Sequence, residues 1–145
     1  MTVPDVNILL YAYDTASPKY KAARAWLEET FSSGELIGLP WQNIVAFIRI
    51  ITNTKLPGER PTPERVMHVV DQWLKLPNIR LLAPGENHWP LLRQTILEGE
   101  VRGPRITDAE LAALTIEHGG TLYTADRDFA RFPGLRWTNP LQANE

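Results

Sequence analysis

Four aspartates hold the chemistry available to this sequence. Asp5 follows the short apolar opening that ends in Val3-Pro4, Asp108 lies within Thr107-Asp108-Ala109-Glu110, and Asp126 and Asp128 flank Arg127. Carboxylates are hard oxygen donors of the kind that magnesium and manganese prefer, and such ions need few protein ligands because they keep part of their water shell. Asp5, Asp108 and Asp126 would suffice. Carboxylates gathered without a cation raise one another's pKa at a cost in stability, and a bound cation removes that cost. Taken singly, each aspartate has a plainer explanation, because Asp is common at helix caps, in first helical turns and in turns, where it bonds a local amide. The joint pattern favours the metal, since Asp5 follows an apolar strand with no evident need of a charge.

Other chemistries are poorly served. The absence of cysteine removes disulfides, thiolate nucleophiles and Cys-ligated zinc or iron. His68, His88 and His118 are scattered without zinc-ligand spacing, and no glycine-rich phosphate loop precedes a lysine. A phosphohydrolase of the haloacid-dehalogenase type, with Asp5 as nucleophile, would want an Asp-x-Asp start, and position seven is Asn7.

The elements that must position the aspartates alternate between strand and helix. Thr2-Val3-Pro4-Asp5 leads into Val6-Asn7-Ile8-Leu9-Leu10, a mixed run that reads as a buried strand turning into a helix start, with Asp5 at the turn. Tyr20, Ala23, Trp26, Leu27 and Phe31 recur at helical spacing, with Ser32-Ser33-Gly34 as the stop. Leu36 to Leu39 reads as a strand, and Pro40 opens a helix to Ile51 that is apolar nearly all round and is expected to be buried. Pro57 to Pro61 is turn chemistry, and Thr62-Pro63 starts a surface helix to Lys75. A strand over Ile79 to Leu82, a helix over Asn87 to Leu97 and a loop over Gly99 to Gly103 follow. Thr107-Asp108-Ala109-Glu110 matches a capping box, opening a helix to His118 that Gly119 ends. Leu122-Tyr123 forms a fourth strand, Ala125 to Ala130 a turn, and Leu135 to Trp137 a fifth strand. The alternation predicts an α/β fold: a three-layer α/β/α sandwich around a parallel sheet of four to five strands. In such a sheet the ligand crevice lies outside the carboxyl ends of the strands, which is where Asp5 and Asp126 fall.

The chain has 145 residues and is 43% hydrophobic, which suits one domain, expected to span 1–145, around a single core. A net charge of -2 makes no case for a globally basic nucleic-acid binder, but Arg102, Arg105, Arg127, Arg131 and Arg136 crowd the last third and could form a local anion site. The apolar run Ile44 to Ile51 is interrupted by Arg49 and is too short to cross a bilayer, and residues 1–10 lack the positive start of a signal peptide, so a cytoplasmic location is expected. Trp26, Trp41, Trp73, Trp89 and Trp137 are expected mainly in the core.

Three segments, in this order and separation, resemble the PIN domain: Pro4-Asp5-Val6-Asn7-Ile8-Leu9, Thr107-Asp108-Ala109-Glu110-Leu111-Ala112-Ala113-Leu114 and Thr124-Ala125-Asp126-Arg127-Asp128-Phe129. Leu39-Pro40-Trp41 and Ala46-Phe47-Ile48-Arg49-Ile50 are similar to the VapC toxins of actinobacteria, the mycobacterial branch included. The resemblance implies the toxin of a type II toxin-antitoxin (VapBC) module, an endoribonuclease using magnesium or manganese. It makes Asp5, Asp108 and Asp126 the acidic centre, with Asp128 as a further ligand. Asn7, Thr107 and Thr124 would orient carboxylates or waters, and Arg105 or Arg127 would meet phosphate. It also implies an RNA substrate, transfer or ribosomal RNA ahead of messenger. A VapB-type antitoxin would lay a helix in a groove and place an arginine among the carboxylates, and the toxin would be a homodimer. One position departs from the family pattern: the usual glutamate on the helix after the second strand is Ala46. That substitution supports an alternative, a catalytically weak or silent PIN-like module that binds RNA or protein.

Overall fold

The computed structural model describes residues 1–142, so the last three positions of the expected 1–145 domain lie outside the described residues. Five strands form one sheet: β1 (Thr2–Pro4), β2 (Ile37–Pro40), β3 (Ile79–Leu82), β4 (Thr121–Tyr123) and β5 (Trp137–Thr138). Their order is β3-β2-β1-β4-β5 and every pairing is parallel. The helices are α1 (Val6–Tyr11), α2 (Tyr20–Ser32), α3 (Trp41–Ile51), α4 (Pro63–Leu74), α5 (His88–Gly99) and α6 (Ile106–Glu117). This is the expected α/β/α sandwich.

The strand order explains where a ligand crevice must open. The chain steps outward from β1 to β2 to β3, then returns across the sheet to β4 and steps outward the other way to β5. Right-handed crossovers therefore put α1 to α4 on one face and α5 with α6 on the other. Each face has its own apolar core. Leu9, Leu27, Phe31, Leu39, Phe47 and Trp73 pack on the first, and Val3, Leu111, Leu114, Leu122, Phe129 and Phe132 on the second. Between β1 and β4 the direction of winding reverses, and the crevice lies there, at the carboxyl ends.

Local chemistry fixes the elements. Thr62 Oγ1 accepts from the Arg65 amide at 3.4 Å, with Pro63 at the first helical position of α4. The Arg60 guanidinium reaches the last turn of α3, donating to the Ile51 and Ile50 carbonyls at 3.0 and 3.3 Å, where a cation also meets the negative end of the helix dipole. Gly38 leaves room for the β3 side: a Cβ there would stand 2.6 Å from Leu82 Cδ1. The loop between β3 and α5 is pinned to the end of α6, where Glu117 accepts the Gly85 amide through both oxygens at 3.1 and 3.3 Å. His88 Nδ1 sits 3.5 Å from Glu117 Oε1, and His118 Nε2 lies 3.0 Å from the Ala83 carbonyl.

Four expectations need correction. Thr107 is not an N-cap: α6 begins at Ile106, and the Thr107 hydroxyl donates to the Pro104 carbonyl at 2.8 Å instead of receiving an amide. A 3-10 turn over Gly103–Arg105 runs directly into the helix, so the amides a capping box would serve lie one turn further along. The fifth strand is Trp137–Thr138, since β5 pairs through Leu122↔Trp137 and Tyr123↔Thr138. Helix α3 is not buried all round, because Trp41 is 49% and Val45 60% exposed on one stripe. Of the tryptophans, Trp73 alone is fully buried; Trp26 and Trp137 are partly buried, while Trp41 and Trp89 face outward.

Candidate metal centre

Asp5 is placed by two backbone constraints. Its amide donates to the Tyr123 carbonyl at 2.9 Å, continuing the β1–β4 ladder, while its own carbonyl receives the Ile8 and Leu9 amides that begin α1. The residue thus ends the central strand and caps the first helix, with an extended backbone (φ -73, ψ 157) and Oδ1 accepting from the Val6 amide at 2.7 Å. Its other oxygen faces the crevice, where it accepts the Thr124 hydroxyl at 2.8 Å.

Thr124 is the junction of the site. Its side chain is fully buried at the end of β4, and its amide donates to the Thr138 carbonyl of β5. A hydroxyl has one proton and two lone pairs. Here the proton goes to Asp5, and the lone pairs accept Asn7 Nδ2 at 3.3 Å and the Asp126 amide at 3.1 Å. This arrangement also fixes the Asn7 amide, because the flipped group would set two acceptors face to face. Asn7 Oδ1 is left buried with no hydrogen-bond partner.

Around this junction stand the remaining carboxylates. Asp126 Oδ1 accepts the Asp128 amide at 2.9 Å, capping the short 3-10 turn Arg127–Arg131. Asp108 comes from the first turn of α6. Arg105 lies among them, with Nη2 at 2.6 Å from Asp128 Oδ2 and Nη1 at 3.6 Å from Asp108 Oδ2. Burial pushes the Asp5 carboxyl up from an ordinary 3.8 to about 6. The Thr124 hydroxyl and the Val6 amide pull it back, and the Asp108 and Asp126 charges add to the rise. The Asp108 carboxyl is raised too, first by burial and then by Asp126, with Arg105 opposing.

The structure therefore brings Asp5, Asn7, Asp108, Thr124, Asp126, Asp128 and Arg105 to one end of the sheet. Arg127 is exposed on the turn beyond, and Thr107 is turned toward Pro104. Among the described residues, no three Asp, Glu, His or Cys side chains converge closely enough to hold one ion between them. Asp126 is bound to its own turn and Asp128 to Arg105. The donor set still fits magnesium or manganese, which bind through one or two carboxylates and complete their shell with water. Mutually repelling, partly desolvated carboxylates and the orphaned Asn7 Oδ1 are what such a hydrated ion would satisfy.

Residues 2–135 match the PIN domain family model. The chain belongs to the PIN-domain family. Within it the similar curated proteins are VapC ribonucleases. Ribonuclease VapC43 of Mycobacterium tuberculosis is 38% identical over 141 residues, covering 97% of this chain and 96% of the relative. Ribonuclease VapC33 of the same species is 36% identical over 143 residues, covering 98% and 99%. Among solved structures, VapBC2 of Rickettsia felis bound to a promoter DNA fragment superposes with a TM-score of 0.71 at 18% identity, covering 95% of this chain and 97% of that one. FitAcB of Neisseria gonorrhoeae gives 0.69 at 20% identity, covering 97% and 98%. At such identity these structures speak to the fold alone.

For this PIN domain the sequence anticipated the carboxylates but missed a buried amide. Asn43, in the first turn of α3 and 4% exposed, donates through Nδ2 to the Pro4 carbonyl at 3.0 Å, one residue before Asp5. The available signal was the pair of prolines, Pro4 and Pro40, that ends two adjacent strands. Position 46, the usual glutamate, is a partly buried alanine on the same helix.

Proposed function

We propose that this protein is the toxin of a VapBC-type toxin-antitoxin module, a magnesium- or manganese-dependent endoribonuclease that a cognate VapB-type antitoxin restrains. The observation that carries the reading is the junction at Thr124, which holds the Asp5 carboxylate in a crevice where burial, with Asp108 and Asp126 adding to it, raises its pKa. Asp5, Asp108 and Asp126 would hold the ion, with Asp128 available once Arg105 moves away. The ion supplies positive charge at the phosphate and acidifies a water beside it. The chain's own part is positional. Thr124 keeps one Asp5 oxygen fixed, and Val6 fixes the other. Asn7 Oδ1, buried without a partner beside Thr124, would accept from a water that the ion brings into the crevice, and Arg105 would turn from Asp128 to the RNA phosphate when the substrate enters, as Arg127 can from the turn beside it.

A transfer or ribosomal RNA is the expected substrate and the cytoplasm the expected location; no helix among the described residues is long and apolar enough to cross a membrane. Residues 1–145 are taken as one PIN domain. The antitoxin reading draws support from an open, mainly apolar groove between α2 and α4 lined by Leu27, Phe31, Trp73 and Leu76. The homodimer reading draws support from the exposed Trp41–Val45 stripe of α3. Ala46 favours the alternative, a PIN-like module that binds RNA without cutting it.

Incubation of the purified chain and its Asp5→Asn variant with total RNA, in magnesium, manganese or chelator, decides between the two readings. Metal-dependent cleavage that disappears with the variant and with chelator is the expected result. Manganese binding by the folded wild type with no strand scission in any RNA pool would overturn the nuclease and leave the binding module.

A further inference from the structure

The seam between β1 and β2 is the one inner seam of the sheet that stops short. β2 pairs with β3 through four residues and β1 with β4 through three, but β1 meets β2 through the single pair Thr2↔Ile37. The cause lies in the prolines. Thr2 donates to the Leu36 carbonyl at 3.0 Å, which sets the phase of the parallel ladder. In that phase the next rungs need the amide of residue 4 to reach Gly38, and the amide of residue 40 to reach the carbonyl of residue 4. Both residues are proline and neither has an N–H. The Pro4 carbonyl, in a buried residue directly before Asp5, thus loses its ladder donor. An acceptor stranded this way is costly. Asn43 Nδ2, arriving from α3, fills the vacancy at 3.0 Å.

We infer that Asn43 is a positioning residue for the acidic centre: its amide replaces the proline-deleted rung, holding β1 at the fork where Asp5 leaves the sheet. The functional part of this inference rests on the metal-nuclease reading above. Helix α3 carries no carboxylate at position 46, so its hold on the centre runs through the backbone of residue 4. Asn43 touches neither ion nor RNA. It sets where the Asp5 Cα stands relative to Thr124, and so whether the Asp5 carboxylate meets the Thr124 hydroxyl and the ion together.

The proline account supplies its own rescue. Pro40→Ala restores an N–H aimed at the Pro4 carbonyl, so the double variant N43A/P40A regains the rung by another route. Manganese binding, metal-free melting temperature and cleavage kinetics are measured for wild type, N43A, P40A and N43A/P40A. N43A is expected to melt lower, to bind manganese roughly tenfold to a hundredfold more weakly, as loss of a supporting hydrogen bond does at metal sites, and to lose kcat with little change in the KM for RNA. N43A/P40A is expected to recover most of the melting temperature and of the manganese affinity. If N43A does not fold, a folded, manganese-binding double variant supports the assignment, and an unfolded one overturns it. A double variant no better than a folded N43A, or an N43A that binds manganese as tightly as wild type, also overturns it. Should wild type neither bind manganese nor cut RNA, the nuclease reading falls by itself, while the metal-free melting temperatures still decide whether Asn43 replaces the missing rung.

Discussion

Two carboxylates, the buried Asp5 and the partly buried Glu117, serve opposite purposes. Glu117 closes α6, where both oxygens accept the Gly85 amide and an imidazole that can carry charge stands 3.5 Å away. Its surroundings consume the carboxylate, and the result is a latch on the β3–α5 loop. Asp5 has two good donors as well, from Val6 and Thr124, yet it faces Asp108 and Asp126 and no cation contacts it among the described residues. The cation that does approach, Arg105, goes to Asp128 and Asp108. The difference separates a carboxylate that the fold needs from one that the fold tolerates: the latch is satisfied by hydrogen bonds from within, and the crevice is left to be neutralised from outside.

The comparison is broken most severely at Asp5. Asp5→Asn is expected to cut RNA cleavage by at least roughly a thousandfold, since the charge that attracts the ion is gone. The same change is expected to stabilise the metal-free protein at neutral pH. A carboxyl raised from 3.8 to about 6 carries a penalty for its ionised form of about 3 kcal/mol, of which the amide would return about 1–2 kcal/mol after disturbing the Thr124 contact. The folded state keeps this proton up to about pH 6, whereas the unfolded chain releases it near 3.8. Wild type therefore gains stability relative to the variant as pH falls through that window, and manganese affinity weakens in the same range. Melting curves across that range check the sign: a variant less stable than wild type at neutral pH would show that Asp5 is not under electrostatic strain.

Thr124→Val comes next. It keeps the volume but leaves the buried Asp5 oxygen, the Asn7 amide and the Asp126 amide without their shared partner. A tenfold to hundredfold loss of activity, on the order of that seen for groups supporting metal ligands, is expected, with about 1–3 kcal/mol of stability lost. Thr124→Ser, which retains the hydroxyl, should restore most of both, as activity assays and denaturant melts would show. Arg105→Gln is milder and divides the readouts. Removing a cation that competes at Asp128 and Asp108 should tighten manganese binding by roughly two- to fivefold, while RNA binding weakens by a similar factor through the lost phosphate contact. Calorimetry with manganese alone tests the first half. The smallest effect belongs to the latch: Glu117→Gln should leave cleavage within about twofold of wild type and cost no more than about 1 kcal/mol, because a surface-facing tie on a loop is a modest contributor.

Much of this was legible in the residues. Strand and helix alternation gave the layers because each buried run was short and clearly bounded, and the aspartates stood out as a joint pattern, Asp5 following an apolar strand with no evident need of a charge. What stayed hidden depends on contacts between distant segments. A proline at residue 4 and another at residue 40 look like unrelated local events until the strands are paired and their missing amides face one another. Thr107 misled for the opposite reason, since its local pattern satisfied a capping rule while the preceding 3-10 turn had already begun the helix. Arg105 read in the sequence as a phosphate contact, and in the fold it pairs with Asp128. The exposed face of α3 was concealed because Trp41 and Val45 on it are as apolar as the residues on its buried side.

The hydrogen bond between Thr124 and Asp5 joins residues 119 positions apart. Asp5 emerges among the first residues to be synthesised, but its carboxylate has no fixed partner across the crevice until β4 has been made and docked. A chain interrupted between the end of α6 and Thr124 would contain α1 to α6 and the founding aspartate, yet no assembled centre. The order of synthesis thereby acts as a safety catch: a fragment released before Thr124 has been made lacks the hydroxyl that fixes Asp5 and the carboxylate of Asp126 beside it.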